Sequence, residues 1–490
     1  MCGRLRLTHG ELNERVNRSA NALHELGLRK GDRLALFLEN CIELLELYYV
    51  AAKTGLVVVP LSPLVRGDGL ANLLRDAEPS VLVTNTGLMS HVEAVEPELG
   101  LPRERILLTD ASPVEGFGSY RDLTAVASGD EPQPVAIADD DPFNIVYSSG
   151  TTGDPKGIVH THGIRLAYAT GFASSFRIHP DSVVLHAGSL VFNGAFLTLM
   201  PALYLGCTYV LMQSFDPRPT IDAMKNERVT HVMAVPTQIV ALLQEVEFDG
   251  AHLPHLEMLG TVGAPLLLEH KQEVVRRLPR RFYELYGITE GIMTVLDRDD
   301  AERKLESVGV PPPLYELRIV DDEGREVPPE TAGEIVGRGP VTMPGYYGRP
   351  DLTAEILRDG WLYSGDIGFL DGDGFLHLVD RKKDLIISGG VNVYPRDIEE
   401  VAVRHPAVLD VAVFGVADDR WGEAPIAAVR LALGETATAN ELKDWINERV
   451  QARYQRVREV VVRDAFPTSA AGKTLRRTLR AEYVARDRVG

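Results

Sequence analysis

The stretch RLALFLENCIELLELYYVAAKTGLVVVPL, residues 33–61, decides the fold class of this chain. Its two ends, 33–38 and 57–61, are apolar runs of strand length. Between them, 43–54 has the length and the apolar spacing of a helix. This order of strand, helix and strand predicts a parallel sheet, because a helix is needed to return the chain to the starting edge.

The same alternation continues on both sides of that stretch. Residues 8–26 have helical spacing, with Thr8 and Glu11 at the separation of a capping box. Residues 81–83, Val-Leu-Val, form a further short strand. No repeat of fixed period is visible in the sequence. The predicted fold class is therefore α/β, built on parallel sheets.

Turn signals divide the chain further along. Residues 127–142 are rich in Asp, Pro and Gly, which predicts a surface loop between subdomains. Residues 312–380 contain short strands separated by turns such as DDEG and DGDG, which is typical of a small antiparallel β unit. After Asp380 helices and strands alternate again, so we predict two domains, 1–380 and 381–490.

Composition excludes several classes of protein. The chain has 490 residues and a net charge of −19, which argues against nucleic acid and anionic membrane surfaces as partners. Cys2, Cys41 and Cys207 do not form a C-x-x-C pair, so neither a disulfide framework nor a structural zinc site is expected. The first residues lack an apolar leader, and we therefore expect a cytoplasmic protein.

One uncharged run, 183–215, is long enough to cross a bilayer. Polar residues and glycines are spread along it, and its character changes from helical at 196–205 to strand-like at 208–212. We interpret the run as a buried helix and a buried strand that meet at Leu205-Gly206. Integral membrane association is accordingly not expected.

The strongest local motif is YSSGTTGDPKG, residues 147–157, which follows the apolar strand 143–147. Glycines free backbone N–H groups to surround an anion, hydroxyl groups donate further hydrogen bonds, and the lysine adds charge. It is not a Walker A loop, because Pro155 stands where that motif needs its second glycine. A plain flexible linker is the alternative, but a linker has no use for the lysine or the preceding strand.

Further polar segments stand at YGITE 286–290, YSGD 363–366, DRKKD 380–384, SGGVN 388–392 and PTSAAGK 467–473. Each motif alone could have a purely structural role, such as a surface turn, a helix cap or a solvated run of charge. Their order along the chain is much more specific than any one of them.

In that order the motifs closely resemble the acyl-adenylating superfamily, which includes acyl- and aryl-CoA synthetases, peptide-synthetase adenylation domains and beetle luciferases. The resemblance extends from Leu7 to about Tyr483. It implies a large N-terminal adenylation domain, 1–380, of parallel α/β sheets and a small β unit. It also implies a small mobile α+β C-terminal domain, 381–490, with its hinge at Lys383. The implied activity is that of an ATP-dependent, AMP-forming acyl-CoA synthetase.

The resemblance also implies a nucleotide site. Tyr286 would stack on adenine, in one motif with Gly287, while Asp366 and Arg381 would bond the ribose. The wall on the adenine side would be formed by Gly263, Ala264 and Pro265. The loop that holds the β- and γ-phosphates would comprise Ser148, Ser149, Gly150, Thr151, Thr152, Gly153 and Lys156.

Three residues carry catalytic roles by the same resemblance. Thr289 would bond the α-phosphate, Glu290 would be the Mg²⁺ ligand, and Lys473 would bridge the acid and the phosphate. This fits the chemistry, because attack of a carboxylate on ATP brings anions together and needs charge stabilisation. CoA would then take the acyl group on a path lined by Ser388, Gly389 and Gly390.

The acid pocket implied by the resemblance is lined by Phe192, Asn193, Val235, Thr237, Gly260, Val262 and Ile292. The family often has histidine where this chain has Asn193, and asparagine cannot titrate. The candidates include neither an Asp to hold an amino group nor an Arg to pair a second carboxylate. We therefore predict a monocarboxylic acid with an apolar body, a medium- or long-chain fatty acid first and an aryl acid second.

Other functions remain open at this level. The acceptor could be a carrier-protein thiol instead of CoA, and a non-catalytic nucleotide-binding protein is a remote alternative. The expected partners are a carboxylic acid, ATP and CoA, and the sequence leaves a homodimer open. Residues 449–490 hold eleven Lys and Arg against four Asp and Glu, so the segment bearing Lys473 is basic within an acidic chain.

Overall fold

The computed structural model of the chain describes residues 1–110, 114–148, 155–381, 384–388, 391–418, 420–468 and 474–487. These residues form four sheets with helices packed around them. The α-helices are α1 (His9–Glu25), α2 (Ile42–Thr54), α3 (Gly67–Ala77), α4 (Met89–Glu93), α5 (Tyr120–Val126), α6 (His162–Phe176), α7 (Phe196–Leu205), α8 (Pro217–Asn226), α9 (Pro236–Leu243), α10 (Leu268–Arg277), α11 (Pro350–Ile356), α12 (Pro395–Ala402), α13 (Ala439–Arg449) and α14 (Arg476–Asp487).

The first sheet has seven strands in the order β5-β4-β3-β1-β2-β6-β7. Neighbouring strands run parallel except β7, which is antiparallel to β6. The parallel α/β architecture predicted from residues 33–61 is therefore confirmed. The strands are β1 (Arg33–Phe37), β2 (Val57–Leu61), β3 (Val81–Thr84), β4 (Ile106–Leu108), β5 (Gly118–Ser119), β6 (Pro142–Ser148) and β7 (Lys156–Thr161).

The second sheet has six strands in the order β13-β12-β11-β10-β8-β9. It is parallel except for β13, which turns back along β12. The strands are β8 (Val183–His186), β9 (Thr208–Leu211), β10 (His231–Ala234), β11 (Met258–Val262), β12 (Phe282–Gly287) and β13 (Met293–Leu296).

The main core lies between these two sheets. One cluster joins Val58 of β2 and Val184 of β8 to the buried faces of α2, α6 and α7. In it the Tyr48 and Phe196 rings meet edge to face with their centroids 4.9 Å apart. The uncharged run is thus core, as predicted, with α7 ending at Leu205 before β9. In the described part of the chain no helix has both the length and the apolar character needed to span a bilayer.

The third sheet is antiparallel, as predicted for residues 312–380. Its order is β14-β15-β17-β16, and β18 pairs with β17 beside that path. The strands are β14 (Glu316–Val320), β15 (Gly333–Arg338), β16 (Leu357–Arg358), β17 (Trp361–Leu370) and β18 (Leu376–Arg381).

The fourth sheet and helices α12 to α14 form the C-terminal unit, with a core of its own. Its strands are antiparallel except β23, which runs parallel to β22. No strand of this sheet pairs with the third sheet within the described residues, and the boundary after Asp380 stays a prediction. The strands are β19 (Ile386–Ser388), β20 (Val391–Val393), β21 (Val408–Asp418), β22 (Gly422–Leu431) and β23 (Glu459–Val462).

Candidate nucleotide and acid site

The carboxyl ends of three parallel strands of the second sheet bring many of the predicted site residues together. Strands β10, β11 and β12 are in register, with Val262 of β11 opposite Leu285 of β12. The chain therefore leaves the same edge of the sheet at 235–237, 263–265 and 288–290. In open α/β sheets this edge is where ligands bind.

Tyr286, Asp366 and Arg381 are held together by strand pairing and one hydrogen bond. Tyr286, the second-last residue of β12, donates its hydroxyl proton to Asp366 Oδ2 at 2.9 Å. Asp366 lies on β17 directly opposite Arg381 of β18. Tyr286 and Asp366 are 9% and 7% exposed, so the hydrogen bond is largely shielded from water. The predicted adenine and ribose residues therefore share one corner of the fold.

Glu290 is fixed by a residue that the sequence analysis did not single out. The Tyr346 hydroxyl donates to Glu290 Oε1 at 2.8 Å. Burial and the Glu290 charge together raise the pKa of Tyr346, so the phenol keeps its proton. On the other side, Lys156 Nζ lies 5.7 Å from the centroid of the Tyr346 ring. Tyr346 thus stands between the predicted phosphate loop and the predicted metal ligand.

The backbone around Glu290 is equally constrained. The Met343 amide donates to the Glu290 carbonyl at 2.8 Å. Gly291, with φ of 130°, lies so close to this segment that an added Cβ would stand 2.5 Å from the Cα of Thr342. Any side chain at this position would push the two segments apart.

The predicted phosphate loop joins β6 to β7. Ser148 and Lys156 are paired at its two ends, and the Tyr347 amide donates to the Gly157 carbonyl at 2.7 Å. The loop residues that lie outside the described ranges are Ser149, Gly150, Thr151, Thr152, Gly153 and Asp154.

Thr289 is held through its carbonyl group. The Nε2 atom of His160, on β7, lies 2.9 Å from the Thr289 oxygen. The Nδ1 atom of His160 lies 3.0 Å from Nη2 of Arg165. Because a guanidinium can only donate, Nδ1 accepts and the ring proton is on Nε2, where it bonds Thr289. Burial, reinforced by Arg165, holds the pKa of His160 well below its usual range, which keeps the ring neutral.

Both polar atoms of the Asn193 side-chain amide are hydrogen-bonded. Its Oδ1 accepts from Arg165 Nη1 at 3.0 Å, and its Nδ2 donates to the Tyr168 hydroxyl at 2.9 Å. Asn193 begins a short 3₁₀ turn, and the next residue, Gly194, lies against Val262. The predicted pocket residue is therefore a fixed part of the wall beside the end of β11.

The other pocket candidates differ in environment. Gly260 is crowded by the methyl groups of Met258 and Met233, which would stand 2.4 and 2.7 Å from an added Cβ. Ile292 is buried in a cluster with residues of the third sheet. Thr237 is exposed near the start of α9. The half-buried candidates are Phe192, Val235 and Val262.

The predicted adenine wall follows β11, and the C-terminal candidates lie in the C-terminal unit or outside the described residues. Gly263, Ala264 and Pro265 are described and are half-buried or exposed, while Ser388 is buried on β19. Arg476, at the start of α14, makes two hydrogen bonds to Glu399 of α12, at 2.7 and 2.8 Å. The predicted residues of this region that lie outside the described ranges are Lys383, Gly389, Gly390 and Lys473.

Sequence reasoning missed His160, Arg165 and Tyr346. One signal for Arg165 was available, because it falls on the same helical stripe of α6 as Tyr168, Phe172 and Phe176. An arginine on an apolar stripe is unusual and is typical of a specific buried role.

The family comparisons agree with this geometry. The family model described as AMP-binding enzyme matches residues 2–347, and the model of its C-terminal domain matches residues 397–473. The chain belongs to the AMP-binding enzyme family. The predicted membership is confirmed, and the chain is an AMP-forming acid–CoA ligase.

Curated members of the AMP-binding family resemble this chain over nearly its whole length. A feruloyl-CoA synthase of Amycolatopsis sp is 36% identical, covering 97% of this chain and 94% of the relative. A long-chain-fatty-acid–CoA ligase, FadD13 of Mycobacterium tuberculosis, is 32% identical, covering 98% and 94%. The ATP-bound crystal structure of MatB from Rhodopseudomonas palustris is 30% identical with a TM-score of 0.89, covering 98% of this chain and 95% of the other. These AMP-binding relatives support both the fold and the use of ATP.

Proposed function

We propose that this ligase activates an aromatic monocarboxylic acid and transfers it to CoA. In the first step a carboxylate oxygen attacks the α-phosphorus of ATP, the bond to the bridging oxygen breaks, and pyrophosphate leaves. In the second step the thiol sulfur of CoA attacks the acyl carbon, loses its proton and displaces AMP. Neither step needs a nucleophilic side chain, so the protein contributes through positioning and charge.

The clamped amide of Asn193 is the observation that carries the choice of an aromatic acid. Arg165 and Tyr168 fix this amide, which makes the wall of the pocket polar and rigid. A long alkyl chain gains nothing from a polar wall, whereas a flat ring with a hydroxyl or methoxy group can lie on an apolar face and reach a polar atom. The 36% identity to a feruloyl-CoA synthase supports the same class of acid.

Residues of the second and third sheets would orient the nucleotide. Tyr286 would stack on adenine, and Asp366, fixed by the Tyr286 hydroxyl, would accept hydrogen bonds from the ribose hydroxyl groups. Arg381, opposite Asp366, would donate to the ribose. Thr289 would bond the α-phosphate, and Lys473 would bridge the acid and the phosphate. The loop 148–156 would hold the β- and γ-phosphates, since it connects two paired strands at their ends.

Glu290 fits the role of the Mg²⁺ ligand. Mg²⁺ is commonly held by one or two carboxylates together with phosphate oxygens and waters, and it neutralises phosphate charge. Among the described residues no group of three His, Cys, Asp or Glu could hold a metal ion by itself. Glu290 is half-buried and held by Tyr346, so it is positioned in advance of metal binding.

A fatty acid is the second candidate substrate. Phe192, Val235 and Val262 supply half-buried apolar surface near the same wall. FadD13, a long-chain-fatty-acid–CoA ligase, is 32% identical over nearly the whole chain. This candidate predicts activity that rises with chain length, because each added methylene buries more apolar surface.

An acid panel tests the proposal. Purified enzyme is given ATP, Mg²⁺ and either substituted cinnamates, arylacetates or saturated acids of increasing length, and pyrophosphate release is followed. We expect the highest kcat/KM with a hydroxylated or methoxylated aryl acid and formation of its CoA thioester. Highest kcat/KM with a long-chain acid would overturn the choice of acid. Product with a holo-carrier protein but none with CoA would overturn the acceptor.

A further inference from the structure

Arg165 is the largest fully buried side chain of the chain's described part, and its charge has no carboxylate partner there. Its exposure is 1%, and burial lowers its pKa to about 10, so it still carries its charge at neutral pH. Removing a cation from water is costly unless its surroundings compensate. The side chain must therefore be held by interactions that the fold arranges specifically.

Neutral partners on every side provide that compensation. Asn144 Oδ1 accepts from Nε at 3.1 Å and from Nη2 at 2.9 Å. The guanidinium carbon lies 3.9 Å from the centroid of the Phe196 ring and 4.8 Å from that of Tyr168. Tyr48 is the remaining polar neighbour that favours the charged form. These contacts hold the plane of the guanidinium in one orientation.

The two remaining hydrogen bonds of Arg165 lead to different parts of the proposed active site. Through Nη2 it fixes the tautomer of His160, whose Nε2 proton then bonds the Thr289 carbonyl. Through Nη1 it bonds Asn193 in the wall of the acid pocket. Arg165 thus contacts Asn193 directly and reaches the carbonyl group of Thr289 through His160.

We propose that Arg165 is a positioning residue that couples the acid pocket to the nucleotide site. It sets the place of Thr289 and Glu290 through His160, and it sets the pocket wall through Asn193. This inference rests on the proposed adenylation reaction, and it assigns a shared support to the two halves of that site. The planar guanidinium group of Arg165 is essential to this role. The ammonium group of a lysine is a point charge that cannot reach acceptors in several fixed directions.

The two contacts predict separable kinetic effects. His160→Phe removes the support of Thr289 and should lower kcat of adenylation about tenfold, with the KM of the acid nearly unchanged. Asn193→Ala should raise the KM of the acid about tenfold while kcat changes little. Arg165→Met removes both supports and should lower kcat/KM for the acid by about 10²-fold. Arg165→Lys should recover only a small part of that loss.

Double-mutant cycles on ATP–pyrophosphate exchange test the coupling. If Arg165 acts through its two partners, Arg165→Met with His160→Phe should have the same kcat as Arg165→Met alone, within about threefold. Likewise, Arg165→Met with Asn193→Ala should match Arg165→Met in the KM of the acid. Losses that multiply in both cycles, or full rescue by lysine, would overturn the proposal.

A matched control separates positioning from general stability. Arg15→Met removes a guanidinium that bonds the buried Glu46 between α1 and α2, outside the site. It should change thermal stability and leave kcat and both KM values near those of the wild type. If Arg165→Met affects the kinetics no more than Arg15→Met, the proposal is wrong. If Arg165→Met does not fold, the cycles are run with Arg165→Lys under the same criteria.

The activity of the wild-type enzyme separates a failure of this inference from a failure of the proposed substrate class. Wild-type enzyme that exchanges only with alkyl acids overturns the aromatic substrate, and the same cycles are then run with the best alkyl acid. Wild-type enzyme that exchanges with no acid overturns the proposed reaction and the role of Arg165 together. If the wild type catalyses exchange but the defects of the paired variants multiply, only the proposed role of Arg165 is overturned.

Discussion

Glu290 is held by a phenol instead of by a cation. Tyr346 donates to its Oε1, and no ion pair to Glu290 occurs within the described ranges. A neutral donor fixes the carboxylate without neutralising it, so the full negative charge stays available for a metal ion. A lysine or arginine in place of Tyr346 would orient Glu290 equally well but would compete with Mg²⁺ for its charge.

We expect Tyr346→Phe to raise the Mg²⁺ concentration needed for half-maximal adenylation by about tenfold, because Glu290 then loses its orienting hydrogen bond. The measurement is pyrophosphate release at fixed ATP and acid over a range of Mg²⁺. Tyr347→Phe is the matched control, since it removes a neighbouring hydroxyl that has no described bond to Glu290. An unchanged Mg²⁺ dependence in Tyr346→Phe would show that the hydrogen bond does not support metal binding.

At the scale of secondary structure, local patterns predicted the elements well. The first helix runs over His9–Glu25 with the capping box at Thr8 and Glu11 that the spacing predicted. The helix expected at 43–54 begins one residue earlier, and the uncharged run divides into α7 and its flanking strands. These features depend on hydrophobic periodicity and caps, which are properties of short sequence windows.

The supports of the site could not be predicted in the same way. His160 bonds a carbonyl 129 positions away, and Tyr346 bonds a carboxylate 56 positions away. Such contacts depend on how sheets and helices pack, and they leave no periodic signal in the sequence. The family resemblance identified Glu290 and Thr289 as candidates, but it gave no reason why either residue would be held rigidly.

A buried ion pair joins α10 to β12, the strand that carries Tyr286. Lys271 and Glu284 form the pair with side chains only 1% and 4% exposed. Lys271 also donates to the carbonyls of Leu305 and Ser307 at 3.2 and 3.4 Å. These bonds tie β12 to the loop that follows β13.

We expect Lys271→Met to lower the free energy of unfolding by about 3–5 kcal/mol, because it leaves the Glu284 charge buried without a partner. Chemical denaturation at neutral pH measures the change. Arg276→Met on the same helix is the control, since its pair with Glu273 is at the surface and its loss should be far smaller. Equal losses in the two variants would contradict the account of the buried pair.

At the scale of the whole molecule, the C-terminal unit touches the N-terminal part just after the proposed adenine wall, residues 263–265. Leu267 packs against the C-terminal core, and Arg404 bonds Glu269 at 2.9 Å. Both contacts are at the start of α10, directly downstream of 263–265. The interface between the two units is therefore next to the proposed adenine wall.

The proposed role of Lys473 predicts a split between the half-reactions. Lys473→Ala should lower adenylation by about 10²–10³-fold, because it removes a cation that stabilises the transferring phosphoryl group. Thioester formation from preformed acyl-AMP should change much less. Both rates are measured separately by quenched flow. Equal losses in the two half-reactions would contradict a role confined to adenylation.

Lys383→Pro should have the reverse effect if the C-terminal unit rotates at this residue. Proline fixes φ, so adenylation should persist while thioester formation from preformed acyl-AMP falls strongly. Lys383→Ala is the matched control, since it removes the side chain but leaves the backbone free. If alanine slows thioester formation as much as proline, the side chain and not backbone rotation is responsible.

The most direct test of the central claim is a single-turnover reaction analysed by mass spectrometry. Enzyme in excess is mixed with ATP, Mg²⁺ and a substituted cinnamate, first without CoA. The account predicts cinnamoyl-AMP and pyrophosphate in equal amounts. Addition of CoA should then give stoichiometric cinnamoyl-CoA and AMP. Release of ADP and phosphate, or no aryl-AMP with any aryl acid, would contradict it.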